Sequence, residues 1–473
     1  MPDGSSPRGR SRGRLVVVSN RVPKGDVPAG GLIYALDEAL RGTGGSWIGA
    51  DEPGGDTSGG LRDLGPDPTG AYQRFAFPLS HAEQEGYYLG YSNSVLWPLF
   101  HHRPDLVAVS EGDFDHYVAV NRRVARALRD RLEPDDMIWI HDYHFLMLAH
   151  ELRQMGVENR IGLFLHIPFP GPTDAMALPQ VAMLPAWLAA HDLLGLQTER
   201  DVIAALELLR HDPHTELLNN GMLSRQGRTF SVRRFPIGID AEGFARTAEA
   251  GVLPRLTLPT RDSPLLLGVD RLDYSKGLVK RFDAFGTYLA EHRDPDVKPT
   301  YLQIAPVSRG DVVAYQDIRE DLERTAGSIN GAHSTLDWTP IRYVRSHVDR
   351  DRLAALYRRA DVALVTPLAD GMNLVAKEYV AAQDPDDPGV LILSHFAGAA
   401  EQMTEALLVN PYDEAGFAAA IDRALRMPAA ERRARHAALR EGVFRDDVGH
   451  WAETFLDRLA EAPASLPLRM RAG

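Results

Sequence analysis

Cysteine is absent from this chain of 473 residues, which excludes disulfides, thiolate metal sites and thiol nucleophiles. Long apolar runs are missing too: nothing approaches the roughly 18 consecutive apolar residues of a membrane-crossing helix. The opening MPDGSSPRGRSRGR has basic residues but no apolar stretch behind them before LVVVS, so it does not read as a secretory leader. Basic charge is in deficit. Lys and Arg number 52 against 65 Asp and Glu, a net charge of −13 that argues against broad nucleic-acid binding. No internal repeat is visible. The expectation left standing is a cytoplasmic protein that handles small molecules, without nucleic-acid or membrane partners.

What is present is ordinary for a globular chain: 44% hydrophobic and 25% charged residues. Residues 1–13 have almost nothing to bury and read as a disordered tail. From Leu15 onward, short apolar runs alternate with longer amphipathic stretches. Strands are predicted at Leu15–Ser19, Met137–Ile140, Ile161–His166, Leu193–Leu196, Leu265–Val269, Tyr301–Ile304, Ile341–Val344, Val362–Val365 and Val390–Leu393. Several are unbroken β-branched or Leu runs, as parallel strands covered on both faces require. Helix-period segments lie between them, at Val118–Arg131, Asp311–Thr325, Arg350–Arg359 and Ala415–Arg426. This alternation means a doubly wound α/β fold, with ligands at the carboxyl ends of the strands. Ile239–Ser263 is rich in Gly, Pro, Thr and Asp and shows no clear strand, so the hinge is placed there. The expected division is 14–240, 241–447 and a closing segment 448–473 whose helix, near Val448–Leu459, can pack back on either half.

The informative polar residues follow predicted strands. Ser19-Asn20-Arg21 is followed by Ala29-Gly30-Gly31-Leu32, where glycines lead into a helix start that is either an anion site or an ordinary turn. His141, Asp142 and His144 follow one strand and His166 another; they suit a metal, sugar hydroxyls or, for His141 and His144, plain burial. Arg271 and Lys276 in GVDRLDYSKG suit a diphosphate, and Arg309 follows the next strand. Asp370-Gly371-Met372-Asn373 leads into a helix carrying Glu378, a pattern that brings backbone N–H groups to phosphate and a carboxylate to ribose hydroxyls. Together they describe a cleft between two domains, fit for transfer from a nucleotide-diphosphate carrier to a polar acceptor.

The words VVVSNR, AGGL, SNSVLWPLFH, IWIHDYH, IGLFLHIPFP, RLDYSKG, IAPVSRGDV and VTPLADGMNLVAKEYVAAQ, in this order from about Leu15 to about Leu459, resemble the trehalose-6-phosphate synthase family. That is a family of retaining glycosyltransferases built from two Rossmann-like domains facing a cleft (GT-B). The resemblance implies glucosyl transfer from a nucleotide-diphosphate glucose, UDP-glucose by family default, to glucose 6-phosphate, giving α,α-trehalose 6-phosphate. It implies no metal and no cofactor. Arg271 and Lys276 would hold the donor diphosphate and Glu378 its ribose. Asp370 and the backbone of Gly371, Met372, Asn373, Leu374 and Val375 would hold donor glucose and phosphate, with Gly31 in a loop closing over the donor. His166 and Asp142 would touch the reacting sugars, while Arg21, Tyr88, Trp97 and Arg309, with Asp142, would grip the acceptor. The family route is front-face: the acceptor attacks on the leaving-group side and the departing phosphate takes its proton.

One position departs from the pattern. Where the family has GxWxGW, this chain has Gly45-Ser46-Trp47-Ile48-Gly49-Ala50, so Ala50 replaces an aromatic residue of the acceptor side. The loop between Arg21 and Gly30 also looks short. Another phosphorylated acceptor, such as glycerol 3-phosphate or a cyclitol phosphate, therefore stays open, as does a non-catalytic sugar-phosphate sensor. A metal-dependent hydrolase built on the histidines would leave Lys276 and Arg309 unexplained. Donor nucleotide and homo-oligomeric state are undecided at this level.

Overall fold

The computed structural model describes residues 13–24, 31–57, 60–253, 263–291, 294, 296–306 and 313–463. The tail read at 1–13 and part of the hinge segment, 254–262, therefore lie outside the described residues except for Gly13. The first half builds β1 (Leu15–Arg21), β2 (Gly45–Pro53), β3 (Arg62–Pro66), β4 (Gln73–Leu79), β5 (Met137–His141), β6 (Arg160–Phe164), β7 (Leu193–Leu196), β8 (Thr215–Leu217), β9 (Leu223–Arg225) and β10 (Arg228–Arg234). They form a ten-stranded sheet in the order β3-β4-β2-β1-β5-β6-β7-β10-β9-β8. Its centre is parallel and its edges antiparallel. The second half builds β11 (Leu265–Val269), β12 (Thr300–Ile304), β13 (Ile341–Val344), β14 (Val362–Val365), β15 (Val390–Ser394) and β16 (Leu407–Val409). These pair in parallel in the order β13-β12-β11-β14-β15-β16. That order is the doubly wound one, reversing direction between β11 and β14.

Each strand read from the sequence forms within two residues at either end. The reason is burial on both faces: β5, β7, β12, β14 and β15 are buried throughout. The strands not foreseen, β2, β4 and β10 among them, carry Gly, Pro or Arg within half-exposed segments and lack an unbroken apolar run. The hinge segment holds no strand among its described residues, and its Ala241–Ala250 is helical. Asp240 caps it by accepting from Gly243 N at 2.8 Å, and Phe244 and Ala248 bury one face.

Two chain crossings join the halves side by side. Val448 N donates to Ile239 O at 3.2 Å, and a Cβ on Gly238 would fall 2.3 Å from Asp446 O. The closing helix, Val448–Ala460, then lies on the first sheet. Its Phe455 stacks on Trp139 at 4.8 Å and fits over Gly162 and Gly195, where an added Cβ would come within 2.8 and 2.6 Å of the ring. Among the described residues no helix is long and apolar enough to cross a membrane.

Candidate active site

The direction reversal in the second sheet brings two loops together. The loop after β11 runs through Arg271 into a short turn, Tyr274–Lys276, where Asp273 accepts from Ser275 N at 2.9 Å. Gly277 ends that turn at φ +66°, and a Cβ there would stand 2.4 Å from Thr366 O. Only glycine permits this approach. The loop after β14 supplies Asp370, whose Oδ2 takes the Lys276 Nζ at 2.5 Å and the Asn373 Nδ2 at 3.0 Å. Asn373, at φ +72°, precedes the helix Leu374–Ala382 and makes no side-chain bond to its first turn. Its Oδ1 is buried and lacks a partner among the described residues. Leu374 and Val375 form the first helical turn, whose N–H groups have no intrahelical acceptor. Lys276 and Asn373 are both buried, so an ammonium, an amide and a helix start converge at one place. Glu378 sits one turn further along, half-buried, accepting from Tyr357 OH at 3.5 Å. Burial pushes its carboxyl up, against the pull of Arg350.

Facing this, the first half offers residues from the carboxyl ends of β1, β5 and β6. Arg21 closes β1, exposed, in register with Ala50 on β2. Asp142 follows β5 at φ +72°, and His166 N donates to its Oδ1 at 3.3 Å. A non-glycine residue in this left-handed region costs about 1–3 kcal/mol, and such strain gathers at functional sites. His141 Nδ1 lies 3.1 Å from His166 Nε2, so one ring donates to the other. Burial lowers both imidazoles, His166 to about 3. The pair is neutral. His144 turns elsewhere, stacking on Tyr88 with centroids 5.8 Å apart and on Tyr143 at 4.1 Å. Among the described residues no group of three or more His, Asp or Glu is arranged to hold a metal ion.

Tyr88 and Trp97 come from an element that the sequence did not announce. Gln84–Leu96 is a π-helix, continued by a short helix at Trp97–Phe100. Its wide turns are held by Asn93 Nδ2 donating to Tyr88 O at 2.7 Å and Ser94 Oγ to Leu89 O at 2.8 Å. Trp97 is both core and cleft: 5% exposed, it carries the guanidinium of Arg271 over its ring at 5.5 Å. A second contact between the halves is backbone to backbone, since a Cβ on Gly371 would lie 2.1 Å from His166 O. The structure thus gathers Arg271, Lys276, Asp370, Gly371, Asn373, Trp97, His166 and Asp142. Met372 is buried beneath them, its carbonyl accepting from Ala399 N at 2.8 Å. Gly31 opens the helix Gly31–Thr43, but residues 25–30 before it, and Arg309, lie outside the described residues.

His101 was not singled out in the sequence, although it ends the SNSVLWPLFH run. Its ring lies 4.0 Å from that of Trp97 and its Nδ1 is 2.8 Å from Trp97 O. Burial pushes it down to about 4, with Asp273 pulling up and Lys276 pushing down from the opposite half. Its place at the end of that run is the signal in the chain that could have found it.

A family model, glycosyltransferase family 20, matches residues 16–461. The chain belongs to glycosyltransferase family 20. A trehalose-6-phosphate synthase of Cronobacter sakazakii is 48% identical over 464 residues, covering 96% of this chain and 97% of its own. The solved structure of trehalose-6-phosphate from E. coli bound with UDP-2-fluoro glucose superposes with a TM-score of 0.91 at 47% identity, the match covering 95% of this chain and 99% of that one. An alpha,alpha-trehalose-phosphate synthase (UDP-forming) from Burkholderia xenovorans, in complex with glucose-6-phosphate, reaches 0.87 at 43% identity and covers 95% and 100%. The fold is therefore that of the family 20 glycosyltransferases, an α/β architecture of two parallel-rich sheets.

Proposed function

We propose that this family 20 enzyme transfers glucose from UDP-glucose to the anomeric hydroxyl of glucose 6-phosphate, giving α,α-trehalose 6-phosphate with retention at the donor carbon. One observation carries the reading: the guanidinium of Arg271 lies over Trp97 of the first half, and the loop whose Asp370 holds Lys276 abuts His166 through Gly371. The UDP-forming activity and the two ligands of the solved relatives support the substrate pair.

The donor C1–O bond breaks with its electrons going to the β-phosphate oxygen, while the acceptor oxygen bonds to C1 from the same face. The acceptor proton passes to that departing oxygen. Charge accumulates on the diphosphate, where Arg271 and Lys276 meet it. Lys276 already serves Asp370, but an ammonium has three N–H donors, so one contact can persist while another reaches phosphate. The first N–H groups of Leu374–Ala382 and the backbone of Gly371 and Met372 line the donor phosphate and glucose, with Gly31 meeting the donor from the start of its helix. Glu378 takes the ribose hydroxyls. Asp142, a fixed acceptor, and neutral His166 hold sugar hydroxyls; neither need exchange a proton. Arg21, Tyr88, Trp97 and Arg309 take the acceptor. Catalysis is then mostly positioning and preorganised charge.

The deciding experiment is a matrix of nucleotide sugars against phosphorylated acceptors, read by product mass, with and without EDTA. UDP-glucose with glucose 6-phosphate should give the dominant product in both conditions. Preference for glycerol 3-phosphate or a cyclitol phosphate would reassign the acceptor and point to Ala50.

A further inference from the structure

Behind the cations of the cleft lies a charged pair that is almost wholly buried. Arg281, in the first turn of the helix Leu278–Glu291, has a side chain 0% exposed, and Asp270, between β11 and Arg271, is 3% exposed. Their nearest N···O distance is 2.6 Å. Burying two charges is costly, and well-packed apolar residues often replace such pairs without loss of stability. What apolar residues lack is the fork. Arg281 Nη2 donates to Lys276 O at 3.0 Å and Nε to Thr366 Oγ1 at 2.9 Å. Nη1 reaches Gln303 Oε1 at 3.4 Å, an oxygen that also accepts from Tyr301 OH at 2.5 Å. One rigid guanidinium is thereby bonded to the turn that ends in Lys276, to the residue following β14, and to β12. Those are neighbouring strands across the point where the sheet order reverses.

We propose that Arg281, anchored by Asp270, is a positioning residue for the donor site: it sets the Lys276 turn against the Thr366–Asp370 loop and so fixes the Lys276–Asp370 geometry. The inference rests on the reading of these loops as the holders of the donor diphosphate. Arg281 touches no substrate and acts through Lys276. Among the described residues the backbone bonds between these loops converge on one acceptor, Ser275 O, which takes Leu368 N at 2.7 Å and Ala369 N at 3.4 Å. The fork adds a second attachment at the far end of the turn, and a planar five-donor group makes it directional where lysine would not.

The test compares Arg281→Lys, Asp270→Asn and Lys276→Ala, with the double variant Arg281→Lys/Lys276→Ala, after thermal unfolding has shown which are folded. Arg281→Lys and Asp270→Asn should each raise the KM for UDP-glucose by about tenfold or more and lower kcat, with the KM for glucose 6-phosphate within about twofold. In the Lys276→Ala background, Arg281→Lys should add less than about threefold, because the group it positions is gone. Near-normal kinetics, equal rises in both KM values, or a fully multiplicative effect in the double variant would overturn the inference. If Arg281→Lys does not fold, Thr366→Val, which removes one acceptor of the fork, takes its place under the same criteria. Failure of the unaltered enzyme to transfer glucose from UDP-glucose would instead refute the functional reading on which this rests.

Discussion

Arg271 and Trp97 stand face to face across the cleft, guanidinium carbon to ring centre 5.5 Å, although 173 residues of sequence and a change of sheet separate them. The cation read for the donor diphosphate therefore packs on the aromatic ring read for the acceptor. An exposed cation–π contact is worth only about 0.5–1 kcal/mol, so it can orient Arg271 without competing with a diphosphate for it. Charge-assisted bonds to phosphate are stronger, about 1.5–3 kcal/mol each.

Removing the donor cations should leave the fold and remove turnover. Arg271→Ala and Lys276→Ala are each expected to lower kcat by about 10²–10³, as loss of a preorganised donor does elsewhere. Arg309→Ala should act differently, raising the KM for glucose 6-phosphate far more than that for the donor. Steady-state kinetics with each substrate varied will separate these outcomes; near-normal rates in both cation variants would contradict the diphosphate role.

The contact between Gly371 and His166 has no room for a methyl group. An alanine Cβ would fall 2.1 Å from His166 O, so Gly371→Ala must push the Asp370–Asn373 loop away from the first half. Overpacking of this kind costs about 1–3 kcal/mol in stability. The larger effect should be on rate, a loss of about 10²-fold, because a displacement near 1 Å is enough to misalign reacting groups. Activity and thermal unfolding measured together will show it, and an active Gly371→Ala enzyme would mean the loop is not held there.

Acid should destabilise the protein early. His101, His166 and His191 are lowered by burial from an ordinary 6.5 to about 4, 3 and 3, and His141 lies well below its ordinary value for the same reason. Between those values and 6.5 the unfolded chain binds protons that the folded chain refuses. Stability is therefore complete above about pH 6.5 and is lost as pH falls toward 4 and below, by up to about 1.4 kcal/mol per pH unit for each group. Denaturant midpoints should drop between about pH 7 and about pH 5. A midpoint that does not move would contradict the burial of these rings.

Much of this protein could be read from the order of its residues. Runs such as Leu15–Val18, Leu265–Leu267 and Val362–Val365 bury both faces wherever they sit, so periodicity and β-branching declare them as inner parallel strands. Polar words at their carboxyl ends then mark the cleft, because α/β sheets bind ligands there. Half-exposed β2, β4 and β10 escaped notice, since their membership of the sheet depends on the neighbours they pair with. The π-helix under Tyr88 and Trp97 escaped for the same reason: its register depends on side-chain bonds such as Asn93 to Tyr88 O.

Local sequence thus determined which segments are strands and which polar residues follow them, because burial on both faces and chain direction are properties of a few consecutive residues. Tertiary structure alone decided that Arg271 meets Trp97, that His166 is neutral beside His141, and that Arg281 is a buried clamp instead of a solvated helix charge. The environment of a charge is made by groups far away in the chain, and only folding brings them within reach.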